Sequence, residues 1–337
     1  MAVRSIGSGK RGRRASRPRA GRSFRYRAYG FAIVADAEMP ELAPLRDLRA
    51  GALERISLRL ADSRRELAEP RRWRNISTYP DGTAWLRAAR IDGGFLLRFP
   101  EMADFVIAQN GRDLYCADAR AGVSIVTLRH LALDHVLPRA LNLLGVEALH
   151  ATAIGAPAGV CAFVGEAGTG KSTLAASFQL AGMPVVCDDC LALRDDGRIM
   201  ATPAYPGVRL WDDSLKALAS GGKRTLPVAQ FTAKTRLVED AAGFAGEPRP
   251  LARIYFLRRT SETARPAVTR LKPLAAFPEL VAASFPLDLG DRAMLARHFR
   301  MLSRVAASVP MRRLVIPDDF TVLPAVRAAV LADLAGG

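Results

Sequence analysis

The alternation of apolar and polar positions changes rhythm along the chain. Over residues 26–124 the apolar runs are short: "YRAYGFAIVAD", "RISLRLAD", "FLLRFP", "DFVIAQNG" and "DLYCAD", each bounded by Gly, Pro, Asp or Asn. Such runs predict brief β-strands. Asn110-Gly111, set between "FVIAQ" and "RDLYCA", predicts a hairpin turn. The region reads as a small β-rich domain, with Trp73 and Trp85 as core or interface aromatics. The spacing then turns helical in "SIVTLRHLALDHVLPRALNLLG", where Pro138 predicts a kink and Gly145 a stop. His130 and His135 are five apart, so they do not share the face of an α-helix and read as packing or surface residues.

From Val146 onward the pattern alternates between element types. "VEALHATAI" predicts a strand over 146–154 and "VCAFV" another over 160–164; a glycine-rich loop and a helix over 171–181, ended by Gly182, follow. A strand over 185–193 completes a strand–loop–helix–strand unit. Beyond it, "LARIYFLRR" and "MRRLVIP" predict strands, and "LAAFPELVAAS", "DRAMLARHFRMLSRVAAS" and 323–334 predict helices. The expected organisation is a basic tail at 1–25, a β-rich accessory domain at 26–124 and an α/β domain at 125–337.

Charge refines this division. Residues 1–25 hold nine Lys/Arg and no acid, which leaves +7 of the net +16 for the rest of the chain. A tail rich in Gly, Ser and Arg builds no core. By charge alone it could hold nucleic acid or an acidic peptide; a solvated extension is the simpler account. No apolar run approaches the ~18 residues of a membrane span, and no secretory signal follows the basic N-terminus. Four cysteines in 337 residues make no disulfide framework and favour a reducing, cytoplasmic setting.

The candidate chemistry centres on Gly165-Glu166-Ala167-Gly168-Thr169-Gly170-Lys171-Ser172, a full G-x-x-x-x-G-K-[ST] match between a strand and a helix. Glycines let successive backbone N–H groups point inward at phosphate oxygens, and the helix N-terminus adds partial positive charge. Lys171 is expected at the β- and γ-phosphates, Ser172 at Mg²⁺, and Thr173 next to them. Asp188 and Asp189 fall near the carboxyl end of the following strand, where ligands bind in open sheets. Side chains alternate along a strand, so the two acids point to opposite sides. Cys187 and Cys190 flank them without the further ligands of a zinc site or the helix start of a redox pair, and read as packing residues.

With these residues in view, the chain resembles the bacterial HPr serine kinase/phosphorylases. The likeness rests on His150 in "LHATA", the loop "GEAGTGKS", and "VVCDD" beginning fourteen residues after Lys171. It is firm over 140–195 and looser through "PAYPGVRLW" to the C-terminus. The long N-terminal domain of that family and its later glycine-rich signature are not evident. The layout is more similar to compact HPr-kinase-like proteins of ribosomal peptide pathways, among them kinases acting on the C-terminal serine of lasso peptide precursors; "PGVRLWDDSLKAL" and "VPMRRL" look similar to that subgroup.

The resemblance implies an α/β fold, a P-loop-containing HPr kinase/PEP-carboxykinase-like mixed-sheet domain behind the β-rich one. It implies an ATP- and Mg²⁺-dependent kinase for a serine on a small protein or peptide. Asp188 would be the general base, Asp189 would support metal beside Ser172, and His150 would orient the acid pair. Arg209 and the Arg253, Arg258, Arg259 group are candidates for phosphate or acidic peptide, as are Arg312 and Arg313, with a solvated basic face as the alternative. Trp211 lines the acceptor site or belongs to the core. A nucleotide-binding regulator without phosphoryl transfer, a kinase of HPr or of a small molecule, and a homo-oligomer remain open on the sequence.

Overall fold

The computed structural model describes residues 23–46, 53–61, 67–218, 225–237 and 244–336. The expected tail lies, over 1–22, outside the described residues. The first strand already begins at Phe24.

Eight strands form the N-terminal sheet: β1 (Phe24–Ala28), β2 (Phe31–Ala35), β3 (Arg55–Arg59), β4 (Arg74–Thr78), β5 (Ala84–Ile91), β6 (Gly94–Phe99), β7 (Ala103–Ala108) and β8 (Asp113–Ala119). Their order is β1-β2-β3-β8-β7-β6-β5-β4, antiparallel except where β3 pairs with β2 and β8. The Asn110-Gly111 turn joins β7 to β8: Gly111 takes φ +67°, and Asn110 Oδ1 accepts from the amides of Arg112 (2.8 Å) and Asp113 (3.3 Å). One face of the sheet enters the main core. On the other, Leu96, Val106 and Ala117 are covered by Leu67 and Trp73. Trp73 carries the guanidinium groups of Arg87 and Arg98 at 4.9 and 4.5 Å from its ring. Trp85 packs against Phe99, His135 and Phe231.

The helical stretch is α1 (Ile125–Leu131), a π-wound turn (Ala132–Val136) and α2 (Leu137–Leu143). Ser124 caps α1 by accepting from the Thr127 amide, and Pro138, which has no N–H to give, directly follows the π turn within one continuous helical run. The wider π turn corrects the helical-wheel expectation: it brings the His130 and His135 rings, five residues apart, to 5.5 Å centroid separation.

The second sheet contains β9 (Glu147–Leu149), β10 (Ala151–Ala156), β11 (Gly159–Val164), β12 (Val185–Cys187), β13 (Leu191–Asp195) and β14 (Ile199–Thr202). After β15 (Val208–Leu210), β16 (Thr225–Ala229) and β17 (Thr232–Leu237), which form a separate antiparallel sheet, it is completed by β18 (Arg249–Thr260), β19 (Ala267–Arg270) and β20 (Met311–Pro317). Helices α3 (Lys171–Leu180), α4 (Asp212–Ala217), α5 (Pro273–Ala282), α6 (Arg292–Ser308) and α7 (Leu323–Ala335) complete a mixed α/β architecture. Among the described residues no helix is long and apolar enough to cross a membrane.

Two strands predicted as continuous are broken. The run over 146–154 divides at His150 into β9 and β10, and that over 185–193 divides at 188–190 into β12 and β13. β10 pairs with β12, while β9 pairs with β13. Both chain segments therefore turn the same corner of the sheet, and the candidate residues occupy the corner.

One core runs unbroken from the N-terminal sheet (Phe99, Phe105) through Leu133, Val136 and Leu141 to Leu149, Cys187 and Leu191 beneath that corner. Tyr29, in the β1–β2 turn at φ +56°, reaches across the seam: its hydroxyl donates to Leu133 O and its ring meets Tyr205 edge-on. A second core lies under α3 and α7, where Phe178 of α3 stacks on Phe163 of β11 and Phe163 on Tyr255 of β18. Truncating such a buried ring costs about 3–5 kcal/mol; the stack packs the last turn of α3 against β11 and β18.

Candidate functional site

Strands β11, β18 and β20 are parallel neighbours, and β12, antiparallel to β10 as β11 is, shares their direction. Four carboxyl ends thus open on one edge, the place where ligands bind in α/β sheets. Strand β10 runs the other way and delivers His150 and Thr152 to the same edge. The edge reads in order: Asp188 and Asp189 after β12, His150 and Thr152 at β10, the glycine-rich loop after β11, Arg258 to Thr260 ending β18, and Pro317 to Phe320 after β20.

In the loop, Gly168 and Gly170 have φ +85° and +92°, a region that L side chains rarely adopt. A Cβ on Gly165 would stand 2.9 Å from Thr169 Oγ1. Lys171 is buried and its ammonium donates to Gly165 O (2.7 Å) and Glu166 O (3.0 Å). Burial lowers its pKa, and Asp189 and Asp188 act against that shift. Ala167, Gly168, Thr169, Gly170, Lys171, Ser172 and Thr173 line a cavity of about 280 Å³. Gly165 and Glu166 do not line it; they anchor Lys171 from behind through their carbonyls.

The acid pair is divided by the corner. Asp188 is 1% exposed and fully bonded: Oδ1 accepts from Thr152 Oγ1 and Ser172 Oγ, both at 2.8 Å, and Oδ2 accepts from the Arg209 amide at 2.8 Å. Burial and then the Asp189 charge push its pKa up. Asp189 takes the left-handed φ of +67°, which breaks the strand and turns its carboxylate into the cavity. Burial would raise its pKa, but Arg209, at 2.6 Å, and His150 outweigh that and hold it below the usual carboxylate range. The resemblance implied Asp189 beside Ser172 and Asp188 toward the acceptor; Ser172 Oγ meets Asp188 instead, and the strand breaks at Asp189 rather than running through the pair.

His150 also lines the cavity, with 39% of its side chain accessible. Its Nδ1–H donates to Asp189 O at 3.1 Å, and Nε2 stands 3.9 Å from Asp189 Oδ1. Burial of the ring lowers its pKa against the pull of Asp189.

Arg209 is not a free phosphate ligand. Besides Asp189, its guanidinium donates to Asp134 Oδ1 and Tyr205 Oη, both at 2.8 Å. Tyr205 in turn donates to Asp134, and His130 pairs with Asp134 at 2.6 Å. Burial would raise Asp134, yet Arg209 and His130 keep it ionised. Asp134, Tyr205 and Thr152 escaped the sequence reading. The available signal was an acid in the otherwise apolar "LALDHVLP" and a threonine two residues beyond His150. Arg253 and Arg312 converge on Asp333, and Arg313 pairs with Glu279, so these are structural. Arg259 alone of its group reaches the cavity, tied to Asp318. Trp211, half-exposed, lines it beside Lys234, whose ammonium is 5.5 Å from the ring.

No family model and no curated protein matches the chain. Among solved structures it is similar to the HPr(Ser) kinase/phosphatase from Coxiella burnetii, at 12% identity and a TM-score of 0.30, over 55% of this chain and 97% of that one. A similarity of this order leaves the function to be argued from the site itself.

The donor set suits a hard divalent cation. Ser172 Oγ lines the cavity and donates to the buried Asp188, so two oxygens of the kind such a cation takes stand adjacent beside the loop. Among the described residues no group of three or more His, Cys, Asp or Glu converges as a metal cage. Mg²⁺ is commonly bound in that way, by one or two protein oxygens with phosphate and water completing the shell. Cys187 and Cys190 are fully buried, and burial pushes both thiols up, as packing residues require.

Proposed function

We propose that the protein is an ATP- and Mg²⁺-dependent kinase that phosphorylates a serine on a small protein or peptide. The working division is an accessory region at 26–124 and a P-loop, HPr-kinase-like region at 125–337. The observation that carries the reading is the split of the acid pair: Asp188 is locked to Ser172, while Asp189 faces the cavity shared with Lys171 and the loop. In this reading Ser172 and Asp188 hold Mg²⁺, which supplies charge neutralisation of the phosphates. Lys171 leaves its two carbonyl partners for the β- and γ-phosphates, and the loop amides and the start of α3 complete the cradle.

Asp189 accepts the hydrogen bond of the acceptor hydroxyl. The serine oxygen forms a bond to the γ-phosphorus as the bond to the β–γ bridging oxygen breaks; ADP leaves, and the hydroxyl proton passes to Asp189. Arg209 fixes the carboxylate, and His150 holds the Asp189 carbonyl. Exchanging the roles of Asp188 and Asp189 relative to the sequence expectation rests on their bonding partners.

The test uses the full chain with Mg²⁺, γ-labelled ATP and serine peptides. Asp189→Asn is expected to bind ATP and lose transfer, whereas Asp188→Asn is expected to lose Mg²⁺-dependent binding. ATP binding by the wild-type chain with no labelled acceptor from any serine peptide or small protein would favour a nucleotide-binding regulator instead.

A further inference from the structure

We propose that a basic groove between β5 and the loop leading into α6 docks an acidic, extended segment of the acceptor polypeptide, which pairs along the open edge of β5 a few residues away from the serine to be phosphorylated. The inference rests on the kinase reading above and adds to it the chemical class of the acceptor.

The groove is a cavity of about 630 Å³ whose walls carry Arg71, Arg72, Arg74 and Arg90 beside the buried Phe95 and Leu287. Arg90 is committed: it donates to Asp288 and Asp291 on the facing wall, both at 3.0 Å, and lies 5.2 Å from the Phe95 ring. Asp288 also accepts from the Gly290 amide, and Asp291 caps α6 through the Met294 amide. Arg71, Arg72 and Arg74 are exposed and have no ion pair or hydrogen bond among the described residues. Arg74 reaches the facing wall, where a Cβ on Gly290 would stand 2.6 Å from its Nη2. Three cations thus share one cavity with no acid set against them among the described residues.

The backbone narrows the kind of anion. The ladder between β4 and β5 ends at Arg74 and Ala88, while β5 runs on to Ile91. Beyond Ala88 the β4 side of β5 has no strand partner among the described residues, and Ala89 and Arg90 line the cavity there. An open edge of this kind accepts an added strand through main-chain hydrogen bonds. Asp288 and Asp291 on the facing wall repel a continuous polyanion such as a nucleic acid, but not a peptide whose carboxylates are spaced to meet the arginines. Residues 1–25, with nine Lys/Arg and no acid, have the wrong charge to fill the groove. The same loop links the groove to the candidate site. The Phe285 ring lies 6.1 Å from that of His150 and the Phe285 amide donates to Ala148 O; Leu287, two residues on, already lines the groove. At ~3.3 Å per residue, a docked segment reaches the site over roughly five to eight residues.

Fluorescence anisotropy of the full chain with labelled serine peptides, alongside single-turnover transfer from Mg²⁺-ATP, tests this. The peptides carry a short run of Glu, or of Gln in its place, about six residues from the serine. The Glu peptide is expected to bind about tenfold tighter than the Gln peptide, by a margin that shrinks as salt is raised. Arg71→Glu combined with Arg72→Glu is expected to abolish that preference and leave ATP affinity and the circular dichroism spectrum unchanged, which shows the variant to be folded. Proline within the Glu run removes a main-chain donor and is expected to weaken binding about fivefold. A Glu peptide that binds no tighter than its Gln counterpart, or a preference that survives the double substitution, overturns the groove. Inorganic tripolyphosphate that competes as well as the Glu peptide, or a proline without effect, overturns the strand pairing and leaves a general anion site. Equal transfer to both peptides removes the groove and keeps the kinase reading; Glu-peptide binding by a chain that transfers no phosphate supports the groove and removes the kinase reading alone.

Discussion

Toward β12, the side chains beside the glycine-rich loop are buried, ionised and cross-bonded: Asp188 takes three donors, and Arg209 joins Asp189, Asp134 and Tyr205. Toward β20, Ile316, Pro317 and Leu323 are buried, while Phe320, Asp318 and Asp319 are accessible and Arg259 is tied to Asp318. The contrast follows from what each flank has to hold. Charge that moves during a reaction is stabilised by dipoles fixed in advance, and fixing them requires a surrounding network.

The sharpest way to break the comparison is Asp189→Asn. Loss of the carboxylate is expected to slow phosphoryl transfer ~10²–10⁴-fold in single-turnover assays, with nucleotide affinity kept. Retained transfer would mean the ionised flank is scaffolding only. Next comes Arg209→Met, which leaves Asp134 and Asp189 as buried carboxylates without their cation. It should cost about 3–5 kcal/mol in urea unfolding, together with activity.

A smaller effect is expected from the layer behind that flank. Burial, with His130 and Arg139 nearby, holds the His135 pKa well below its ordinary 6.5, despite Asp134. The unfolded chain therefore binds more protons than the folded one as pH falls below 6.5. Stability should rise with pH through that window, by at most about 1.4 kcal/mol per unit for this group. His135→Gln should flatten the slope in denaturation at stepped pH; an unchanged slope would place the proton uptake elsewhere. Smallest is Phe320→Ala measured as stability, expected within about 0.5 kcal/mol because the ring is exposed. A larger loss would make Phe320 part of the core and erase the contrast between the flanks.

Much of the fold was legible because its signals are local. Asn110-Gly111 makes its turn, Gly182 follows the end of α3 at φ +86°, and the loop lies between strand and helix as its glycines require. What escaped was set by tertiary structure. The breaks at His150 and Asp189 exist because two neighbouring chain segments turn the same corner of the second sheet together, which no single-strand periodicity records. The link from Asp134 to Arg209 spans 75 positions. Asp134 itself sits in a π turn that an α-helical wheel places on the wrong face. The sequence places both acids at one strand end, but their different bonding partners were not legible, since the left-handed Asp189 breaks the strand there.

The apolar interior that passes unbroken from Phe99 to Leu191 bears on how this protein can be cut. Expressing the loop-bearing half by itself would strip the underside from the strands that present His150 and Asp188, leaving a wide greasy surface in water. A minimal active fragment should therefore not exist; the amino-terminal strands serve as the other half of one wedge, and both must be made together for either to stay soluble.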